Sequence, residues 1–166
     1  EFDQASQQDC LFRNLGDGTF EQIMDAGVDE AVTQGRGVAT GDFDRDGDLD
    51  YTVSGGYDDW ATLYRFEAGD HHWLDIDLVG RGSEGSNRDG IGALVTVEAG
   101  GHRQVRLVTP AGAPGSGQDL TLHFGLGEET SVDRISVRWP SGRVTELTAQ
   151  TRVDRRIEIE EPPTGR

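Results

Sequence analysis

The chain has 166 residues, 34% of them hydrophobic, and its 31 acidic residues against 15 Lys and Arg leave a formal net charge of −16. That balance excludes nucleic acid and anionic lipid as partners, since both would be repelled from the surface. No apolar run reaches the length of a membrane-spanning helix, so no membrane insertion is expected, and the single cysteine, Cys10, excludes an internal disulfide framework.

In chain order, residues 1–9 are polar and are expected to be frayed. Leu11-Phe12-Arg13-Asn14 reads as a short strand, Leu15-Gly16-Asp17-Gly18 as a turn, and Thr19 to Ile23 as the strand that pairs back. Met24 to Gly35 reads as loop or a helical turn. Gly37 to Thr40 leads into an acidic stretch and Asp50 to Ser54 leads out. Gly55 to Asp59 is a turn, and Trp60 to Phe66 a further strand. Four short strands in some 55 residues is about the size of one propeller blade.

The acidic stretch is Gly41-Asp42-Phe43-Asp44-Arg45-Asp46-Gly47-Asp48-Leu49-Asp50. Five carboxylates packed this closely repel one another unless a cation sits among them. The spacing D-x-D-x-D-G-x-x-D suits a hard divalent ion that takes about six to eight oxygens at about 2.3–2.6 Å, hence Ca2+ before Mg2+. Asp42, Asp44 and Asp46 are expected to point inward and Gly47 to permit the sharp turn. Asp48 would offer its carbonyl, and Asp50 would close the shell. Val53 stands where an EF-hand has its closing acid, and β-rich residues flank the loop, so the reading is strand, calcium loop, strand. An acidic turn left to solvent is the competing reading, and the agreement of the ligand positions with the turn glycine favours the metal.

The composition shifts at Ala68-Gly69-Asp70. Beyond it apolar residues alternate: Trp73, Ile76 and Leu78; Ala93, Val95 and Val97; Leu120, Leu122 and Phe124; Ile135, Val137 and Trp139; Ile157 and Ile159. Gly- and Pro-containing breaks separate these runs about every ten residues, so about seven short strands in a β-sandwich or closed roll are expected. The expected division is residues 1–68 as a blade-like repeat carrying the calcium loop, 69–161 as the sandwich packed next to it, and 162–166 as tail; the fold class is all-β. All 15 basic side chains other than histidine are arginine, which fits a high-GC genome or a halophile equally. The start at Glu1-Phe2 reads as a mature product or a fragment of something longer.

Both halves resemble known families. Leu11 to Asn14, Gly16-Asp17-Gly18-Thr19-Phe20, and Gly37-Val38-Ala39 running into Asp42 to Asp50 resemble an FG-GAP (VCBS-type) repeat. His72-Trp73-Leu74, Asn87 to Ala93, Leu122-His123-Phe124-Gly125-Leu126-Gly127 and Val137-Arg138-Trp139-Pro140-Ser141-Gly142-Arg143 resemble the ASPIC/UnbV domain that follows such repeats in cartilage-acidic-protein-like chains. The resemblance implies a calcium-dependent propeller of secreted or surface proteins with a sandwich appended. A propeller needs typically four to eight blades and this chain holds one repeat. Other blades, other chains or a second copy are therefore the expected partners.

No nucleophile, phosphate loop or two-histidine metal site is legible. His71 and His72 are neighbours on a strand and face opposite ways, and His123 reads as a surface or satisfied core residue. Trp73 and Trp139 read as core, with a sugar-stacking face shared with Trp60 as the weaker reading. Asn87-Arg88-Asp89-Gly90 reads as a turn held by its own side chains. The expected function is a calcium-binding extracellular structural or adhesive module, not an enzyme. Its alternatives are part of a calcium-dependent propeller enzyme of natural-product tailoring, or a carbohydrate-binding module.

Overall fold

The computed structural model describes residues 7–24, 27, 32–33, 35, 37–55, 60–67, 69–112, 117–148 and 151–163. Every element among them is a strand, apart from one 3-10 turn at Gly82–Glu84. Most of the expected turn at 55–59, the middle of the Pro110 to Gly117 loop and the end of the tail lie outside the described residues.

Seven strands precede residue 67: β1 (Gln7–Gln8), β2 (Leu11–Asn14), β3 (Phe20–Ile23), β4 (Val32–Thr33), β5 (Gly37–Gly41), β6 (Asp50–Ser54) and β7 (Thr62–Tyr64). β2 and β3 form a hairpin whose turn the side chains organise: Asn14 Oδ1 accepts the Gly16 amide at 2.9 Å and Asp17 Oδ1 the Thr19 amide at 2.9 Å. β5, β6 and β7 form an antiparallel meander with Gly41 opposite Asp50 and Tyr51 opposite Tyr64. The two tyrosine rings stack at 4.7 Å.

Two local expectations are corrected here. The polar N-terminal stretch is not frayed throughout, because β1 pairs with β4, a strand inside the segment expected to be loop or helical turn. That pairing spans 24 residues of chain and has no local signal. The strand expected over Trp60 to Phe66 shortens to β7, and Trp60 is 88% exposed.

Nine strands follow: β8 (His72–Val79), β9 (Leu94–Ala99), β10 (His102–Leu107), β11 (Leu122–Gly127), β12 (Ser131–Val132), β13 (Arg134–Arg138), β14 (Val144–Leu147), β15 (Thr151–Arg152) and β16 (Arg155–Glu160). One sheet has the order β10-β9-β13-β14, antiparallel throughout. The other has the order β11-β8-β16, in which β16 runs parallel to β8. These two sheets hold seven strands, as the alternation predicts, and β12 and β15 add a short pair. The architecture is an all-β sandwich beside a blade-like repeat.

The period of two places the core. β9 alternates half-buried and buried residues, sending Val95, Val97 and Ala99 inward. β13 does the same with Ile135 and Val137, and β11 with Leu122, Phe124 and Leu126. With Leu74, Ile76 and Leu78 of β8 and Trp139 they form one buried cluster. Each such side chain taken out of water contributes about 1.5–3 kcal/mol. Among the described residues before 67, Val53 is the sole buried hydrophobic, so the described part of the repeat shows no buried cluster comparable to that of the sandwich.

A buried carboxylate fastens the C-terminus to this sandwich. Glu161 is 1% exposed. Its oxygens accept the Arg81 amide at 3.0 Å, the Ser86 amide at 2.7 Å and the Ser86 hydroxyl at 3.0 Å, and the Ser141 hydroxyl also donates to it. Arg143 stands 3.2 Å away. Burial by itself would raise this carboxyl; the hydrogen bonds from Ser141, Arg81 and Ser86 outweigh it and hold the pKa at about 2.

Candidate metal site and the adjoining cleft

β5 ends at Gly41 and β6 begins at Asp50, so the meander forces residues 42–49 into a tight loop. Arg45 and Gly47 take left-handed backbone, with φ of 63° and 98°. At Gly47 the requirement is double, since a Cβ there would also collide with the Trp73 indole.

The aspartates organise the loop through its amides. Asp42 accepts the Asp46 amide at 3.2 Å and the Gly47 amide at 3.0 Å. Asp46 Oδ1 accepts the Asp48 amide at 3.0 Å. Asp50, 1% exposed, accepts the Phe43 amide at 3.2 Å and the Phe66 amide at 2.8 Å, tying the loop to the segment after β7.

Asp42, Asp44 and Asp50 each offer an oxygen, and the three lie within 4.8 Å of one another. That span is twice a calcium–oxygen distance of about 2.4 Å, so one ion could touch all three. The donor set of hard carboxylate oxygens, one of them buried, fits calcium. Two like charges at such a separation repel by about 3 kcal/mol at an effective dielectric near 20. Burial pushes the Asp42 carboxyl up from its ordinary value, and the Asp46 charge adds to this against the loop amides.

One predicted side-chain ligand, Asp46, stands apart from the group of three; Asp48 was expected to offer its carbonyl, not its side chain. Asp46 turns its carboxylate to the Asp48 amide and toward Arg65 at 3.5 Å, and the Asp48 side chain does not join the cluster. Arg65, which no motif marked, places Nε 2.7 Å from Asp44 Oδ2. Asp44, and after it Glu67 and Asp46, raise the pKa of its guanidinium. A basic residue just beyond the strand opposite the loop was the only signal for it.

A cleft of about 560 Å3 opens between the loop and the sandwich. Thr40 of β5 spans it, donating its amide and hydroxyl to Gln118 Oε1 at 3.2 and 3.1 Å. Trp73 was expected in the core with Trp139. Trp139 is buried there, but Trp73 is half-buried on the outer face of its sheet and lines the cleft. Its indole stacks on His123 with ring centres 6.2 Å apart. His123 Nδ1 is 2.9 Å from Asp75 Oδ1, so this histidine is a paired residue of the cleft wall. His72, on the strand beside Trp73, pairs instead with Asp154 at 2.8 Å. Asn87 holds its own turn through two bonds to Ile91, of 2.7 and 2.8 Å.

Comparison with known proteins agrees with both halves. Residues 4–53 match the family described as FG-GAP-like repeat, and residues 82–166 match the family described as ASPIC and UnbV. The chain is 44% identical over 64 residues to cartilage acidic protein 1 of Xenopus tropicalis and of Homo sapiens, and 42% identical to that of Mus musculus. Each match covers 38% of this chain and 9% of the relative's length. With the ASPIC and UnbV match covering half of the chain, on the strands of the sandwich, this protein belongs to the ASPIC and UnbV family, its domain preceded by an FG-GAP-like repeat.

Proposed function

We propose that the chain is a calcium-ordered structural module of an extracellular protein, in which the loop 42–50 is a metal site that stiffens the repeat and its junction with the sandwich. The observation that carries this reading is the convergence of Asp42, Asp44 and Asp50 within 4.8 Å, with Asp50 buried. Those three would hold the ion, with Asp46 and Asp48 completing the shell, and the ion would supply the positive charge that offsets their repulsion. Asp50 positions the loop through the Phe43 and Phe66 amides, and Gly47 sets it against Trp73. Extracellular calcium loops bind at about 10⁻⁴–10⁻³ M, a range that suits a site loaded outside cells. The FG-GAP-like match supports a repeat that packs on others of its kind, and the exposed large hydrophobics among its described residues, Phe12, Phe20 and Trp60 included, support partners that cover it.

The test is thermal unfolding in calcium and in chelator. With free calcium at about ten times Kd, linkage gives about 1.4 kcal/mol, or about 3–5 °C for a chain of this length. Asp44→Asn, on an exposed side chain that pairs with Arg65, should melt at the same temperature with and without calcium. A wild-type chain indifferent to calcium would sink the reading, as would a shift that Asp44→Asn retains in full.

A further inference from the structure

We propose that the cleft between the loop and the sandwich is a binding site for an acidic saccharide. It is a built recess, not a flat face, and about 560 Å3 falls within the usual range of small-ligand sites, about 300–1,000 Å3. One wall is aromatic: Trp73, held in place edge-on by Gly47 and stacked on His123, which Asp75 orients. Trp73 stands on the outward face of its sheet, half-buried, and not in the core that Trp139 occupies. An indole of this kind presents an apolar plane with a polar edge, the surface on which the C–H face of a pyranose packs while its hydroxyls find hydrogen-bond partners. Gln118 also lines the cleft, its Oε1 taken by Thr40 and its amide nitrogen left to serve as such a partner.

The charge of the cleft selects among sugars. The protein as a whole is strongly acidic; this recess is lined by Asp42, Asp75 and Asp119 but equally by Arg45, Arg106 and Arg156, while Asp75 faces His123 and Asp119 accepts the Thr121 amide. Arg156 is engaged by Asp77. Among the described residues, Arg45 and Arg106 have no carboxylate within ion-pair distance. Arg106 is held with its guanidinium 5.6 Å above the buried Phe124 ring, so it is positioned without being neutralised. Two guanidiniums with no carboxylate partner among the described residues offer charge-assisted, bidentate bonds to a carboxylate or a sulfate on the sugar. The site therefore takes a sugar bearing one such group, and the negative field around it works against anions that cannot also stack on Trp73.

The experiment titrates the full chain with digalacturonate, with a sulfated disaccharide and with neutral lactose, at 0.15 M salt, by calorimetry and by tryptophan fluorescence. At least one acidic disaccharide should bind, the two arms showing whether carboxylate or sulfate is preferred, while lactose should not. Arg106→Gln should weaken binding about ten- to a hundredfold, the worth of a charge-assisted hydrogen bond, with the melting temperature unchanged. Arg45→Gln should also weaken it, and Trp73→Phe should weaken it and abolish the fluorescence change. The proposal is overturned if neither acidic sugar binds at millimolar concentration, if lactose binds as well, if both arginine variants bind like wild type, or if an acidic peptide competes more tightly than either sugar. The Arg106 and Trp73 readouts stand apart from the calcium reading, since both residues belong to the sandwich side of the cleft, whereas Arg45 lies in the loop itself; repeating the titration in chelator separates the two.

Discussion

Two single residues carry consequences that their neighbours do not. Glu161 is held at about 2 where an unperturbed glutamate lies at 4.5. A carboxyl whose folded pKa is depressed stabilises the fold fully above its unfolded value and loses that contribution as pH falls through the folded one. The window is therefore pH 4.5 down to about 2, and the stake is about 3 kcal/mol. Glu161→Gln should lower the melting temperature at pH 7 and flatten its dependence on pH across that window, which scanning calorimetry at several pH values checks. Gly47 is the second. At φ 98° with the Trp73 indole where a Cβ would stand, Gly47→Ala should cost at least about 1 kcal/mol, read as a fall of about 2–4 °C in thermal melting.

At the scale of the element, the loop between β5 and β6 has an internal cation of its own. Arg65 bonds Asp44 at 2.7 Å, with more than half of its side chain in solvent. An exposed pair of this kind is weak, but a metal binding at Asp44 must displace it. Arg65→Gln should accordingly tighten calcium binding by a few-fold, measured by calorimetric titration; weaker binding in this variant would mean that Arg65 shapes the site and does not compete for it. The same loop explains why a five-aspartate motif need not act as five equal ligands. Asp42 and Asp46 spend oxygens on the loop's own amides, because a turn this tight leaves those N–H groups no strand to pair with.

At the scale of the whole molecule the two halves differ in what they bury. Ten of the fifteen exposed large hydrophobics among the described residues lie before residue 67, so that half presents the surface a partner would cover. The register of β2 and β3 puts Phe12 and Phe20 on one face, diagonal to each other, and Phe20 is 64% exposed. The chain should self-associate at high concentration, and Phe12→Ser with Phe20→Ser should shift sedimentation profiles toward monomer. A monomeric wild type at millimolar concentration would argue that its partner is a different chain.

The all-β character, the seven strands of the two sandwich sheets and the hairpin of β2 and β3 were legible in the sequence. A period of two and Gly- or Asn-rich turns are local signals that sheet geometry obeys directly. The aspartate spacing likewise named the loop and its flanking strands. What the sequence could not supply was every relation between distant residues. The pairing of β1 with β4, the knot around Glu161, the approach of Arg65 to Asp44 and the escape of Trp73 from the core into a cleft with His123 each join segments far apart in the chain. An apolar residue at an alternating position is written the same way whether its face meets the core or a neighbouring element. Only the packing of the repeat on the sandwich decides which.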